Sequence, residues 1–197
     1  MVSRVEIVLD FVCAFSYLGF TRLRVVAEQL RSGGADVGID ISPHQLRPQA
    51  PDVPEPIFEV HRRDRGEEFA RQVRTDRSLG RDDGLTFRFD RALFVNTERA
   101  HRLAALAGQQ GLAESMTERL FRAYFTDGLD IADLETLRDL ARRVGADPAQ
   151  PWPDISEALK RNSEAGVTDT PVFRFANGTV LAGEQTTQTL HDALSAS

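Results

Sequence analysis

Apolar residues crowd the first stretch of the chain. Val5, Ile7, Val8, Leu9 and Phe11 fall within residues 4–11, a short, partly β-branched run that ends at a turn and predicts a strand. Residues 15–31 follow a helical spacing. Tyr17, Leu18, Thr21, Leu23, Val25, Val26 and Leu30 make a broad apolar face, and Ser32-Gly33-Gly34 stops it. Val37, Ile39 and Ile41 then alternate with Gly38 and Asp40, which predicts a second strand. Strand, helix and strand in so short a span predict a parallel βαβ unit with a right-handed crossover.

The pattern changes after Pro43. Five prolines, at 43, 48, 51, 54 and 56, mark a loop and an exit from the first region. From Ile57 to about Val144 the spacing is helical. Residues 57–78 carry Phe58, Phe69 and Val73 among many charges. Asn96 or Thr97 is placed to cap a helix running to about Ala107. Met116, Leu120, Phe121 and Tyr124 form the apolar side of a helix over 112–125. Asp133 is placed to cap one ending at Gly145, and 152–164 reads as a further short helix. Strand patterning returns in Val172–Phe175 and Thr179–Leu181, joined by Ala176-Asn177-Gly178, a hairpin signal. Residues 186–194 close the chain as a helix.

Composition narrows the classes. Hydrophobic residues at 41% and charged residues at 27% suit a soluble domain with a sizeable core. The net charge of -6 argues against nucleic acid as a partner. Lys160 is the only lysine, so the basic residues reflect codon bias rather than a binding patch. No apolar run approaches the roughly 20 residues of a membrane helix, so no membrane partner is expected. Residues 5–12 lead straight into the fold rather than forming a leader, and a cytoplasmic location is expected.

Cys13 is the only cysteine in 197 residues, so an internal disulfide is excluded. It falls where the first strand gives way to a helix. A helix start carries unpaired N–H groups and partial positive charge, which stabilise a thiolate, the reactive form of the side chain. The alternative is a small buried hydrophobe. Ser16, one helical turn on, stands where the second cysteine of a Cys-x-x-Cys pair would be. Its hydroxyl is within reach of the thiol in a helix, or it is simply a helix-start serine. His44, His61, His101 and His191 match no metal-ligand spacing, so no metal site is expected.

Four segments, in this order and spacing, carry a family resemblance: Asp10-Phe11-Val12-Cys13 through Tyr17-Leu18-Gly19; Asn96 through Leu103; Leu120 through Phe125 with Asp130-Ile131; and Ala165 through Phe173 followed by Leu181-Ala182-Gly183-Glu184-Gln185. The chain resembles the DsbA family of the thioredoxin fold. More narrowly it is similar to the FrnE-like and 2-hydroxychromene-2-carboxylate isomerase branch, which includes kappa-class glutathione transferases. The resemblance implies an α/β thioredoxin-like fold with an inserted all-helical subdomain. Residues 1–44 and 165–197 would form the core, and 45–164 the insertion.

It also implies a site. Cys13 and Ser16 would be catalytic, and Phe15, Asn96, Thr170, Pro171, Gly183 and Glu184 would bind substrate or thiol. Thr170-Pro171 would be a cis bond opposite the cysteine, freeing the Thr170 backbone to pair with an extended thiol or peptide. Gly183-Glu184-Gln185 would open the last helix, where N–H groups suit a carboxylate although Glu184 opposes one. Asn96 and His101 would lie in the part that covers the cysteine, or serve as a cap and a packed histidine. Phe11, Phe15, Tyr17, Phe94, Tyr124 and Phe125 are either core or the lining of an apolar cleft. Relatives usually carry Cys-Pro-Trp-Cys, or Ser at the first position; here Cys13-Ala14-Phe15-Ser16 keeps the first cysteine alone.

The expected function is therefore a thiol-dependent double-bond isomerase acting on a small or carrier-bound conjugated substrate. It would need no cofactor beyond, at most, a low-molecular-weight thiol. A monothiol oxidoreductase or thiol transferase, and a binding protein with a degenerate site, are the alternatives. Pairing as a homodimer would follow many relatives.

Overall fold

The computed structural model describes residues 2–51 and 53–196, leaving position 52 of the proline-rich loop and the two terminal residues outside the described set. It resolves into two compact units, residues 1–46 with 154–197, and residues 47–153.

The first unit is built on a four-stranded sheet in the order β2-β1-β5-β6. Strand β1 (Val2–Leu9) leads through helix α1 (Ala14–Ser32) to β2 (Asp36–Pro43), which pairs parallel to β1. The predicted βαβ unit is present, with α1 one residue longer at each end. Strand β5 (Val172–Phe175) pairs antiparallel to β1, and β6 (Val180–Ala182) returns antiparallel to β5 across the Asn177-Gly178 turn. Because β1 is central, Val5, Ile7, Val8 and Leu9 are all fully buried. Only its last part, Ile7-Val8-Leu9, is covered on both faces and reads as a continuous apolar run, while Ser3, Arg4 and Glu6 before it are polar and less buried. Strand β2 lies at an edge, and its alternation in the sequence matches its mixed burial.

Helix α7 (Ser156–Glu164) also belongs to this unit, so the division falls at 153/154. Its Asn162 is fully buried and donates through Nδ2 to Ser42 Oγ (2.9 Å) and the Pro43 carbonyl (2.8 Å). Its Oδ1 accepts from Arg174 Nη1 at 2.9 Å, and Arg174 pairs with Glu6 at 2.7 Å. One amide thus ties helix, edge strand and β5 together. Residues 152–155, expected to begin this helix, are not helical. Helix α8 (Thr187–Ser195) closes the unit.

The second unit is helical apart from a two-residue antiparallel pairing of β3 (Glu55–Pro56) with β4 (Leu93–Phe94). The helical spacing expected from Ile57 onward begins as two helices, α2 (Ile57–Arg65) and α3 (Glu67–Thr75). Gly66 separates them with φ +90°, a backbone region open to glycine and costly for other residues. Helix α4 (Glu98–Gln109) is followed by α5 (Ala113–Arg122), which runs into a π-helical turn, Ala123–Asp127. That turn is fixed by Tyr124, whose hydroxyl donates to the Leu93 carbonyl at 2.6 Å, and by Phe125, whose carbonyl accepts from Arg88 N at 2.7 Å. Phe87, Phe121 and Phe125 form its buried aromatic centre. Helix α6 (Leu134–Arg143) starts at Asp133, whose carboxylate caps the Thr136 amide at 2.7 Å as the sequence predicts.

Two predictions follow from these networks. Asn162→Ala strands the buried groups it now satisfies and should cost roughly 1–3 kcal/mol, read by urea denaturation; an unchanged midpoint would mean that water replaces the amide. In the second unit, Arg88 and Arg77 hydrogen-bond Asp90 at 3.0 and 2.7 Å, and Arg88 chiefly holds its carboxyl down at about 2. A depressed folded value stabilises the protein above the ordinary 3.8 and loses that effect as pH falls through about 2. The stability gap between wild type and Asp90→Asn should close over that window.

Candidate active site

Strand β1 ends at Leu9, and the next four residues turn the chain into α1. Cys13 N–H donates to the Asp10 carbonyl at 3.0 Å, closing the turn. Cys13 has extended backbone (φ -91°, ψ 113°) and is the N-cap of α1, with its sulfur accepting from Ser16 N–H at 3.4 Å. A cysteine thus occupies a place usually taken by Ser, Thr, Asp or Asn, and the first turn of the helix gives its sulfur the Ser16 N–H. The residue is buried, 7% exposed.

The thiol also faces a second backbone group. Cys13 Sγ donates to the Thr170 carbonyl at 3.2 Å, across 157 residues of chain. The Thr170–Pro171 bond is cis. Thr170 N–H donates to the Asp169 carboxylate at 2.8 Å, and the Pro171 carbonyl accepts from Gly183 N–H at 2.8 Å. Thr170 is 4% exposed, and its hydroxyl oxygen is buried with no partner. Gly19 of α1 lets this turn approach: a Cβ there would lie 2.9 Å from Phe173 Cζ and 3.2 Å from Pro171 Cγ.

The structure brings Cys13, Thr170, Pro171 and Gly183 together, and it corrects three expectations about their neighbours. Ser16 is fully buried, and its hydroxyl accepts a long 3.4 Å bond from Asp10 N–H; its backbone amide, not its hydroxyl, meets the sulfur. Gly183-Glu184-Gln185 does not open the last helix. Thr186 caps α8 by accepting from Thr189 N–H at 3.1 Å, so the tripeptide lies in the link before it. Glu184 is paired with Arg22 at 3.0 Å, and Arg22 also donates to the Gln185 carbonyl at 2.9 Å, so its charge is compensated. The Thr170 backbone, expected to be free, is engaged at both its N–H and its carbonyl.

Phe15, beside Cys13, is 46% exposed, an apolar ring on the surface of the first unit. Phe11, Tyr17, Tyr124 and Phe125 are buried, and Phe94 is half-buried. Asn96 belongs to the second unit. There its Oδ1 accepts from Glu98 N–H at 2.9 Å, and its Nδ2 donates to the Pro48 carbonyl at 3.0 Å. It supplies the side-chain cap of α4 that Thr97 does not. His101 is buried in the first turn of that helix. Among the described residues no three His, Cys, Asp or Glu side chains group to hold a metal ion. Nor is any helix among them long and apolar enough to cross a membrane.

Asp10 and Asp169 were not singled out in the sequence. Asp10 is 1% exposed, and its carboxylate accepts from Leu46 N–H at 2.8 Å, bracing the turn that carries the thiol. A carboxylate ending an apolar strand was its only signal. Asp169 gave none, being one polar residue in a polar loop.

Comparison with known proteins agrees with this geometry. A model of the DSBA-like thioredoxin domain matches residues 4–195, and the chain belongs to that family. No curated protein matches it. Among solved structures it is similar to the probable DsbA oxidoreductase of Streptomyces coelicolor, at 24% identity over 98% of this chain and 89% of that one, with a TM-score of 0.82. It is also similar to a 2-hydroxychromene-2-carboxylate isomerase, at 16% identity over 98% and 93% of the two chains, TM-score 0.65. The cytosolic disulfide reductase DsbM of Pseudomonas aeruginosa, solved with GSH, is 16% identical over 98% and 96%, TM-score 0.58. At these identities the likeness is one of fold.

Gly19→Ala tests the packing behind the thiol. The added methyl meets Phe173, fully buried, and Pro171. Stability should fall by roughly 1–3 kcal/mol despite alanine's better helix propensity. Displacing Pro171 should also loosen Thr170 and speed iodoacetamide alkylation of Cys13 severalfold. A stable variant with unchanged alkylation would mean that the turn yields without cost.

Proposed function

We propose that the protein is a thiol-dependent cis/trans isomerase of conjugated double bonds, with Cys13 as nucleophile. The observation that carries this reading is a single thiol that caps a helix start and has no second cysteine to resolve it. A monothiol cannot complete a dithiol oxidation within one chain, whereas reversible addition needs one sulfur and no redox partner.

In the proposed cycle the Cys13 thiol first gives its proton to solvent. The thiolate then adds to the electron-poor carbon of the double bond, forming a C–S bond. The π electrons move onto the conjugated carbonyl as an enolate, and the former double bond becomes single and rotates. Collapse of the enolate reforms the double bond and expels the thiolate, so atoms and electrons balance with nothing consumed. The amides of Ala14 and Phe15 have no intrahelical acceptor and supply positive potential at this end of α1. Ser16 N–H supports the sulfur, and Phe15 offers an apolar surface for a substrate chain. The substrate class is a small unsaturated molecule or a carrier-bound polyene acyl chain, and the active protein is free or paired as a homodimer in the cytoplasm.

A second reading is a monothiol reductase or thiol transferase using a low-molecular-weight thiol. It is favoured by the likeness to DsbM, a disulfide reductase solved with GSH. A binding protein with a degenerate redox site is the non-catalytic alternative.

The three separate in one assay with a conjugated acyl thioester, following isomer ratio and free thiol together. The isomerase reading expects conversion to the other isomer with no thiol consumed, and Cys13→Ser at the uncatalysed rate. Stoichiometric loss of added thiol would instead support the transferase or reductase. Binding without turnover in both proteins would support the non-catalytic reading.

A further inference from the structure

The turn opposite the thiol offers no free amide, and its Thr170 carbonyl is occupied while the thiol keeps its proton. Thr170 N–H is held by the carboxylate of Asp169 at 2.8 Å, and the Thr170 carbonyl accepts from Cys13 Sγ at 3.2 Å. Pro171 has no N–H, and its carbonyl accepts from Gly183 N–H at 2.8 Å. The remaining polar atom, Thr170 Oγ1, is buried below the surface. A peptide-like ligand seated beside Cys13 would pair its own amides with this turn, as a strand pairs with an edge. Here it would meet a donor already bonded to a carboxylate, and a bond to a charged acceptor is stronger than a neutral replacement. A ligand with few backbone-like polar groups loses nothing by that occupation.

We infer that Asp169 is a specificity-determining residue of the Cys13 site: by holding the Thr170 amide it disfavours peptidic thiols and disulfides and leaves the sulfur to non-peptidic substrates. Asp169 acts through Thr170 and is therefore a positioning residue. Its side chain is on an exposed residue, outside the packed core, so its replacement leaves the sheet and α1 untouched. The inference rests on the reading of Cys13 as the nucleophile, and it explains how a DSBA-like domain would be turned from peptide disulfides toward other chemistry.

Thiol–disulfide exchange measures this without an isomerisation substrate. The Cys13 thiolate attacks one sulfur of a disulfide, a new S–S bond forms to Cys13, the old one breaks, and the other half leaves as thiolate. Two probes are compared by mass spectrometry of the Cys13 adduct: oxidised glutathione, which carries peptide groups, and bis(2-hydroxyethyl) disulfide, which carries none. Asp169→Ala frees the Thr170 amide and should raise the ratio of glutathione to hydroxyethyl rates about tenfold, the size of one charge-assisted hydrogen bond. Asp169→Asn keeps a carbonyl oxygen for that amide but gives up the charge-assisted part of the bond, and should raise the ratio by clearly less than Asp169→Ala does.

An unchanged ratio in Asp169→Ala, or equal changes with both probes, would overturn the inference. So would Asp169→Asn behaving like Asp169→Ala, since charge repulsion alone would then set the selectivity. A steady hydroxyethyl rate reports that the Cys13 site is intact in each variant. Failure of the isomerase reading shows elsewhere, as thiol consumption or as turnover by Cys13→Ser.

Discussion

Strand β1 lies between a parallel neighbour and an antiparallel one, and the candidate site depends on that placement. Pairing of Val8 with Val172 sets the register in which β5 begins, and Thr170 lies just before it. The turn after Leu9 then delivers Cys13 to the Thr170 carbonyl, 3.2 Å away. A slip of one residue would turn every β1 side chain over and carry Thr170 off the sulfur. Burial of Val5, Ile7, Val8 and Leu9 opposes such a slip, because they would exchange environments together.

Around that register the first unit spends its polar groups on backbone. Asp10 braces Leu46, Ser16 meets the Asp10 amide, Asp169 holds Thr170, and Arg22 ties Glu184 and Gln185 to α1. The outcome is a thiol flanked by fixed dipoles rather than by titrating side chains. Two backbone groups meet the sulfur: the Ser16 amide donates to it at 3.4 Å, and the Thr170 carbonyl accepts from it at 3.2 Å. Ser16 holds the place one helical turn after Cys13, and its hydroxyl accepts from the Asp10 amide rather than meeting the thiol.

Most of the fold was legible because its causes are local. The βαβ start, the Asn177-Gly178 hairpin, the Asp133 cap and the closing helix each follow from a period or a turn residue within a few positions. Misses arose where one residue outweighed a period. Gly66 divides the helical stretch after Ile57 into α2 and α3, and residues 152–155, expected as helix, lie outside α7. Asn96 illustrates the reverse case, a capping side chain read correctly in type that also reaches the Pro48 carbonyl in a loop no periodicity describes.

By itself the chain determined an α/β architecture, a single thiol at a strand–helix junction and the absence of any second cysteine to pair with it, since these depend on residue type and near-neighbour spacing. Only the tertiary structure decided that Thr170 offers the thiol its carbonyl, that Asp169 already holds the Thr170 amide, that Glu184 pairs with Arg22, and that the Ser16 hydroxyl turns to Asp10. All but the last join residues more than 150 positions apart or depend on a turn that such a contact positions. Their partners are chosen by sheet register and helix packing, which bury apolar area without regard to the polar groups they bring together, and no local pattern encodes that choice.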